Sequence, residues 1–145
     1  MFSINDKIIP WRYPMKVVHY DEVELEEVSV DGAKGAKIRW LIGPKDGAPN
    51  FAMRMFEISP GGHTPYHQHE WEHEMYCLSG TGAIVTERGE IAFAENDIMY
   101  INPSLMHSFK NTGEDTLKFL CLVPNEKPEV KKTLNPFADE EANNC

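Results

Sequence analysis

The sequence predicts an all-β fold, a double-sheet jelly roll or small barrel, and three observations carry that prediction. From residue 36 onward, short apolar or alternating runs recur between turn signals, as expected of several closely spaced strands. The punctuation between the runs is rich in residues that supply positive φ or favour turns through a short polar side chain. No apolar stripe of helical period interrupts the series.

Residues 1–35 come first and are mixed: the entry Pro10-Trp11-Arg12-Tyr13-Pro14, a short apolar pair Val17-Val18, then acidic and Gly-containing turns. They are expected to form an N-terminal arm that adds a strand at a sheet edge, because bare edges invite pairing. The barrel is expected over 36–124, with strands at 36–42, 51–58, 63–69, 73–78, 82–87, 90–94, 98–101, 107–110 and 117–123. The separators are Gly43-Pro44, Asp46-Gly47, Pro60-Gly61-Gly62, Ser79-Gly80, Arg88-Gly89, Glu95-Asn96-Asp97, Asn102-Pro103 and the run 112–115. Residues 125–145 are polar and contain Pro128 and Pro136, so they are read as a C-terminal tail. Leu134 and Phe137 are its expected points of docking onto the body.

Composition bounds the function. At 145 residues, 41% hydrophobic and 26% charged, the chain fits one domain with a proper core. The net charge of −9 speaks against a nucleic-acid surface, which needs clustered Lys and Arg. The acidic stretches at 21–27 and at Asp139-Glu140-Glu141 read as a solvated rim. No window approaches the roughly 18 apolar residues of a membrane span, and the N-terminus lacks a basic region followed by an apolar one. A cytoplasmic protein with no membrane contact is expected. Cys77, Cys121 and Cys145 are odd in number and widely spaced, which suits reduced thiols rather than a disulfide framework. No Ser-His-Asp set, phosphate loop or dinucleotide fingerprint supports a hydrolase or a nucleotide binder.

The chemistry concentrates in His67-Gln68-His69-Glu70-Trp71-Glu72-His73-Glu74 and in His107, which together hold four of the six histidines. On a strand, His67 and His69 at i and i+2 share one face. Two imidazoles on one face with a third close behind is what a strand-borne metal site needs. Strand parity then groups His73, Met75 and Cys77 on one face and Glu74, Tyr76 and Leu78 on the other. A slip of one residue would present Glu74 in place of His73. His63 shares the parity of His67 and His69, so the cavity mouth is open to it, and it is read as a non-ligand; His19 is read as a surface residue.

These residues carry a resemblance. Gly61 or Gly62, then His67-x-His69-x3-His73-x6-Gly80, resembles the first cupin motif, and Asp97-x5-Pro103-x3-His107-x3-Asn111 resembles the second. The resemblance spans residues 36–124 and implies a double-stranded β-helix, the cupin jelly-roll barrel. It also implies that His67, His69, His73 and His107 converge on one divalent transition metal ion: Mn, Fe, Zn, Ni or Cu. Cupins commonly carry glutamate at the third ligand position, where the register from Gly80 places His73. Trp71-Glu72-His73-Glu74, Leu41-Ile42-Gly43, Ala48-Pro49-Asn50-Phe51 and Met53-Arg54 are similar to a subgroup of small single-domain cupins with four-histidine sites. Four neutral ligands leave the ion's double positive charge uncompensated, favour an anionic or strongly polar ligand, and hold iron or manganese in the divalent state. Donor type alone does not choose the metal.

Two further residues are candidates for the site. Arg54 sits in an apolar strand, and a fully buried arginine is rare without a partner. It either faces solvent at an edge or points inward, where the resemblance suggests that it orients an anionic substrate. Cys121, in the last apolar run, is either a small buried hydrophobe or a cavity-lining thiol. The resulting expectation is a metal-dependent, dioxygenase-like oxidoreductase acting on a small organic molecule, in a homodimer. A redox-neutral metal-dependent isomerase or lyase, and a non-catalytic small-molecule-binding cupin, are the alternatives, because one fold hosts many activities.

Overall fold

A computed structural model describes residues 15–125 of the chain. Nine strands follow in order: β1 (Glu26–Glu27), β2 (Lys34–Ile42), β3 (Phe51–His63), β4 (His73–Ser79), β5 (Thr81–Thr86), β6 (Gly89–Ala94), β7 (Ile98–Ile101), β8 (Ser108–Asn111) and β9 (Leu117–Pro124). Two single turns of 3-10 helix, Tyr20–Glu22 and Pro44–Asp46, are the helical elements among the described residues.

All strands belong to one antiparallel sheet ordered β6-β5-β8-β3-β9-β4-β7, with β2 paired to β3 and β1 to β2. The ends of that path, β6 and β7, are consecutive in sequence and joined only by Glu95-Asn96-Asp97. The two ends of the sheet therefore meet within a turn, and the sheet must curl. Asn96 takes a φ of 72° there, a conformation that asparagine adopts more readily than other side-chain-bearing residues. Asp97 Oδ2 accepts from Ala94 N at 2.8 Å, and the turn exchanges backbone hydrogen bonds with Cys77 in β4. The expected all-β jelly roll is the fold observed.

Side-chain alternation divides the interior into two zones. In β9 Leu117, Phe119, Cys121 and Val123 are buried and the residues between them are only partly so. The β3–β9 register sets Ile58 against Leu117, Phe56 against Phe119 and Arg54 against Cys121. One zone is apolar: Phe119 stacks on Phe56 at 5.3 Å and meets Phe93 and Phe109 at 6.3 and 5.4 Å. The other, one and two pairs further along, holds Arg54, Cys121 and His73. The opposite face of β2 and β3 is covered by the segment around Tyr20. Arg39 there pairs with Glu57 at 2.9 Å and lies 5.4 Å from the Tyr20 ring.

Two strand expectations are corrected. Pro60-Gly61-Gly62 does not end a strand, because β3 continues through it to His63. The β2–β3 register shifts between Lys34 and Ala36. At Gly62 a Cβ would stand 2.6 Å from Lys34 O and 2.9 Å from Ser59 O. The glycine thus permits a bulge and a close approach, not a chain reversal. Residues 64–69, expected to complete a strand from His63, form none, and the irregular chain runs on to residue 72. Pro65 has no N–H to offer a ladder, and the segment is tied down at points. Thr64 N donates to Phe109 O, Ser104 N donates to His69 O, and His67 and His107 form an isolated antiparallel bridge.

The entry around Trp11, the expected tail with Leu134 and Phe137, and Cys145 lie outside the described residues. Cys77 and Cys121 are buried and free. Among the described residues no helix is long and apolar enough to cross a membrane.

Candidate metal centre

Three structural contexts bring the predicted histidines together. His67 and His69 come from the irregular 64–72 segment, His73 opens β4, and His107 immediately precedes β8. The His67–His107 bridge, closed by hydrogen bonds of 3.0 and 2.9 Å, registers the two segments. The bridge sets His67 against His107, while the His67 and His69 rings, two residues apart in a segment that forms no strand, have centroids 5.1 Å apart. One ring nitrogen each of His67, His69 and His107 lies within 4.8 Å of the others. His73 stands against this trio, its Nε2 2.9 Å from His69 Nε2 and its ring centroid 5.2 Å from that of His107. Glu74 is exposed on the outer face of β4, opposite Tyr100 and Leu122. Burial, then the neighbouring Glu72 charge, raises its carboxyl pKa.

Backbone carbonyls fix two of the rings. His69 Nδ1 lies 2.7 Å from Trp71 O and His107 Nδ1 2.7 Å from Leu105 O. A carbonyl only accepts, so in both neutral rings the proton sits on Nδ1 and the Nε2 lone pair faces the cluster. Trp71 also stacks on His69 at 4.4 Å and 9°. His107 is 1% exposed, and its buried Nε2 has no hydrogen-bond partner. Such an atom carries a desolvation cost. The His69–His73 contact is closer than two nitrogen lone pairs sit unless a proton or a cation lies between them.

The cluster is held neutral. Burial first, then the nearby His107, His67 and Arg54 charges, pushes His69 down to about 4, against an upward pull from the Trp71 carbonyl. Burial, then His69, Arg54, His107 and His67, takes His73 down to about 2. Burial also lowers His67, with Arg54 adding to it. It lowers His107 too, where the Leu105 carbonyl opposes and His67 reinforces the shift. Neutral imidazoles need shed no proton before they bind a cation.

Arg54 points inward. β3 is paired on both sides at this position, so it is no edge strand. Arg54 shares a face of its pleat with Phe56, both side chains lining the same cavity. Its Nη2 donates to Cys121 Sγ at 3.0 Å and its Nε to Cys121 O at 3.4 Å. The guanidinium lies 5.4 Å from the Trp40 ring and 5.1 Å from the Phe56 ring, a fixed and partly desolvated setting for a cation. Cys121 is 1% exposed and its Sγ lies 3.1 Å from His73 Nδ1. Burial raises the thiol pKa, and Arg54 opposes that shift.

These groups line a cavity of about 390 Å³. His67, His69, His73, Arg54 and Cys121 lie along it with Trp40, Phe56, Trp71 and Phe109 as aromatic walls. Glu27 at the end of β1 and Val28, Ser29 and Val30 after it roof the cavity, and Glu27 is the carboxylate among the lining residues. Sequence reasoning missed this roof and the role of Trp40, because which segment covers a barrel mouth depends on pairing, not on residue pattern. His63 is absent from the lining; its Nδ1 faces its neighbour's carbonyl, Thr64 O, at 3.2 Å.

Comparison with known proteins gives a consistent picture. A family model described as a cupin domain matches residues 54–123. The polyketide cyclase RemF from Streptomyces resistomycificus superposes with a TM-score of 0.74 at 37% identity, covering 89% of this chain and 90% of that one. An oxalate-binding protein from Thermotoga maritima is 30% identical over 112 residues, 74% of this chain and 92% of its own length. A 1-methylthio-D-xylulose 5-phosphate methylsulfurylase from Rhodospirillum rubrum is 34% identical over 80 residues, 54% of this chain. The matched region spans only 51% of that relative's length.

Proposed function

The chain belongs to the cupin family, and on that premise we propose that it is a redox-neutral, metal-dependent enzyme that closes or isomerises an oxygenated organic molecule with an aromatic or otherwise apolar body. His67, His69, His73 and His107 would hold one divalent ion. The fit rests on the partnerless buried Nε2 of His107, the outward protons of His69 and His107 and the neutrality of the cluster. A bound ion would supply a Lewis acid that polarises a carbonyl or enol oxygen.

The chain's own residues define what enters. Arg54, fixed over two aromatic rings and strand β9, presents a positive charge beside the cluster, while Glu27 at the roof is the negative group in the lining. An anionic or enolic oxygen is therefore favoured, although the chain as a whole is acidic. The aromatic walls suit flat carbon frameworks. A volume of about 390 Å³ lies within the roughly 300–1,000 Å³ of sites that take drug-sized ligands, and oxalate would leave most of it empty. The observation that carries the reading is this pairing of a neutral imidazole cluster with an inward arginine in an aromatic-walled cavity. The likeness to a polyketide cyclase agrees with it.

The dioxygenase-like expectation stands as the second reading, favoured by a neutral donor set that stabilises divalent iron or manganese. Incubating zinc-loaded protein with an aromatic poly-β-keto acid under nitrogen separates the two. The redox-neutral reading expects ring closure with loss of water, seen by mass spectrometry and unchanged when oxygen is admitted. Turnover only with iron or manganese and oxygen would replace it with the second. No turnover, with tight binding of the acid, would favour the binding protein.

The expectations of cytoplasmic residence and a homodimer accompany this reading as proposals. Exposed Ile91 and Ile98 on the edge strands β6 and β7 support a second copy as partner, and sedimentation equilibrium tests it.

A further inference from the structure

The ring partners of the cluster are not alike. His69 and His107 each face a carbonyl oxygen through Nδ1, which locks one tautomer. His73 Nδ1 instead faces the Cys121 thiol at 3.1 Å, a group that both donates and accepts. The sulfur is held from its other side by Arg54 Nη2 at 3.0 Å. It is placed by β9, which sets Cys121 opposite Arg54 in β3 and Met75 in β4.

The protons around His73 follow from this arrangement. With the His69 proton on Nδ1, the 2.9 Å contact between the two Nε2 atoms is a hydrogen bond only if His73 donates from Nε2. Its Nδ1 is then an acceptor and takes the Cys121 S–H. A cation in the cluster needs the His73 Nε2 lone pair, so the ring's one proton must sit on Nδ1. The sulfur must then accept it. The ring carries one proton in both states, and only its position and the direction of the S–H differ. A carbonyl at this place could serve the second state but not the first.

We propose that Cys121 is the positioning residue of the metal centre, a two-way hydrogen-bond partner that lets His73 change tautomer between the metal-free and metal-loaded protein and ties its ring to Arg54. This rests on the four-histidine reading of the site. It differs from a space-filling role, in which the sulfur would be replaceable by any small group. Partners of metal-bound histidines typically alter metal affinity by about 10–100-fold when removed.

The test uses the full chain with Zn(II) and Co(II) as probes. In wild-type protein, nitrogen-15 shifts of His73 should report Nε2–H without metal and Nδ1–H with one equivalent of Zn(II). Cys121→Ala should still bind one ion, about 10–100-fold more weakly, with a displaced Co(II) visible band. Cys121→Ser, whose hydroxyl also donates and accepts, should recover most of the affinity and the band position. One His73 tautomer in both states, or Cys121→Ala with wild-type affinity and spectrum, would overturn the proposal while leaving the metal site standing. Wild-type protein that takes up no ion would overturn both.

Discussion

Replacing His107 with leucine separates the two roles of a buried imidazole, support of the fold and binding of the ion. The side chain is 1% exposed, donates from Nδ1 to Leu105 O and buries an Nε2 with no partner. In the metal-free protein, removing the donor costs about 1–3 kcal/mol and removing the partnerless nitrogen returns about the same. Leucine is of similar volume, so little cavity or overpacking term is added. The metal-free variant should lie within about 1.5 kcal/mol of wild type. The metal-loaded protein behaves differently. Loss of a direct ligand should weaken binding at least to the roughly 100-fold upper end seen for outer partners. With free Zn(II) at about 1,000 times the wild-type Kd, binding stabilises wild type by about 4.1 kcal/mol and the variant by about 1.4 kcal/mol. At about 4 °C per kcal/mol, the metal-induced rise in Tm should fall from about 16 °C to about 6 °C. Calorimetry on chelator-stripped and reloaded protein reads both numbers. A variant that keeps the full rise, or that loses more than about 3 kcal/mol without metal, refutes the reasoning.

Arg54→Met keeps length and contact with Trp40 and Phe56 but removes the charge; an aromatic keto acid should bind about 10–100-fold more weakly by calorimetric titration, with metal content unchanged, and equal affinity would remove Arg54 from ligand binding. Stability of the stripped protein should depend on pH through His69 and His73, which the fold holds near 4 and 2. Above about pH 6.5 both rings are neutral folded or unfolded, and their contribution is fully present. As pH falls toward 4 the unfolded chain binds the extra protons, so stability drops by about 1.4 kcal/mol per unit for each ring; a flat denaturation profile between pH 6.5 and 4.5 would contradict this. Gly80→Ala puts a Cβ 3.0 Å from Leu117 Cα at a φ of +90° and should cost about 2–3 kcal/mol, read as a lower urea midpoint at unchanged slope.

Local signals were legible wherever one face of a strand is buried. The alternation of β9 and the parity that separates His73 from Glu74 could both be read from residue order, because each strand has one core-facing side. Where the chain departs from regular pairing, pattern reading failed. Pro60-Gly61-Gly62 has the composition of a turn but makes a bulge, since the approach of Lys34 that needs Gly62 involves a distant residue. His67 and His69 lie outside any extended strand, and the bridge that sets His67 against His107 joins residues distant in sequence. Arg54 was ambiguous in sequence because its strand is apolar on both parities, with Met53 and Met55 on one and Ala52 and Phe56 on the other, so alternation alone did not mark the cavity side. The Cys121–His73 contact joins two strands and leaves no mark in either one alone.

The central claim is that His67, His69, His73 and His107 hold one ion together. Anomalous diffraction from crystals of untagged protein, with elemental analysis of the same preparation, tests it most directly. The account predicts one metal per chain, bonded to a nitrogen of each of the four rings, with Cys121 Sγ against His73 Nδ1 and Glu74 turned outward. Absence of metal after reloading, or an ion bonded to Glu74 with His73 turned away, would contradict it.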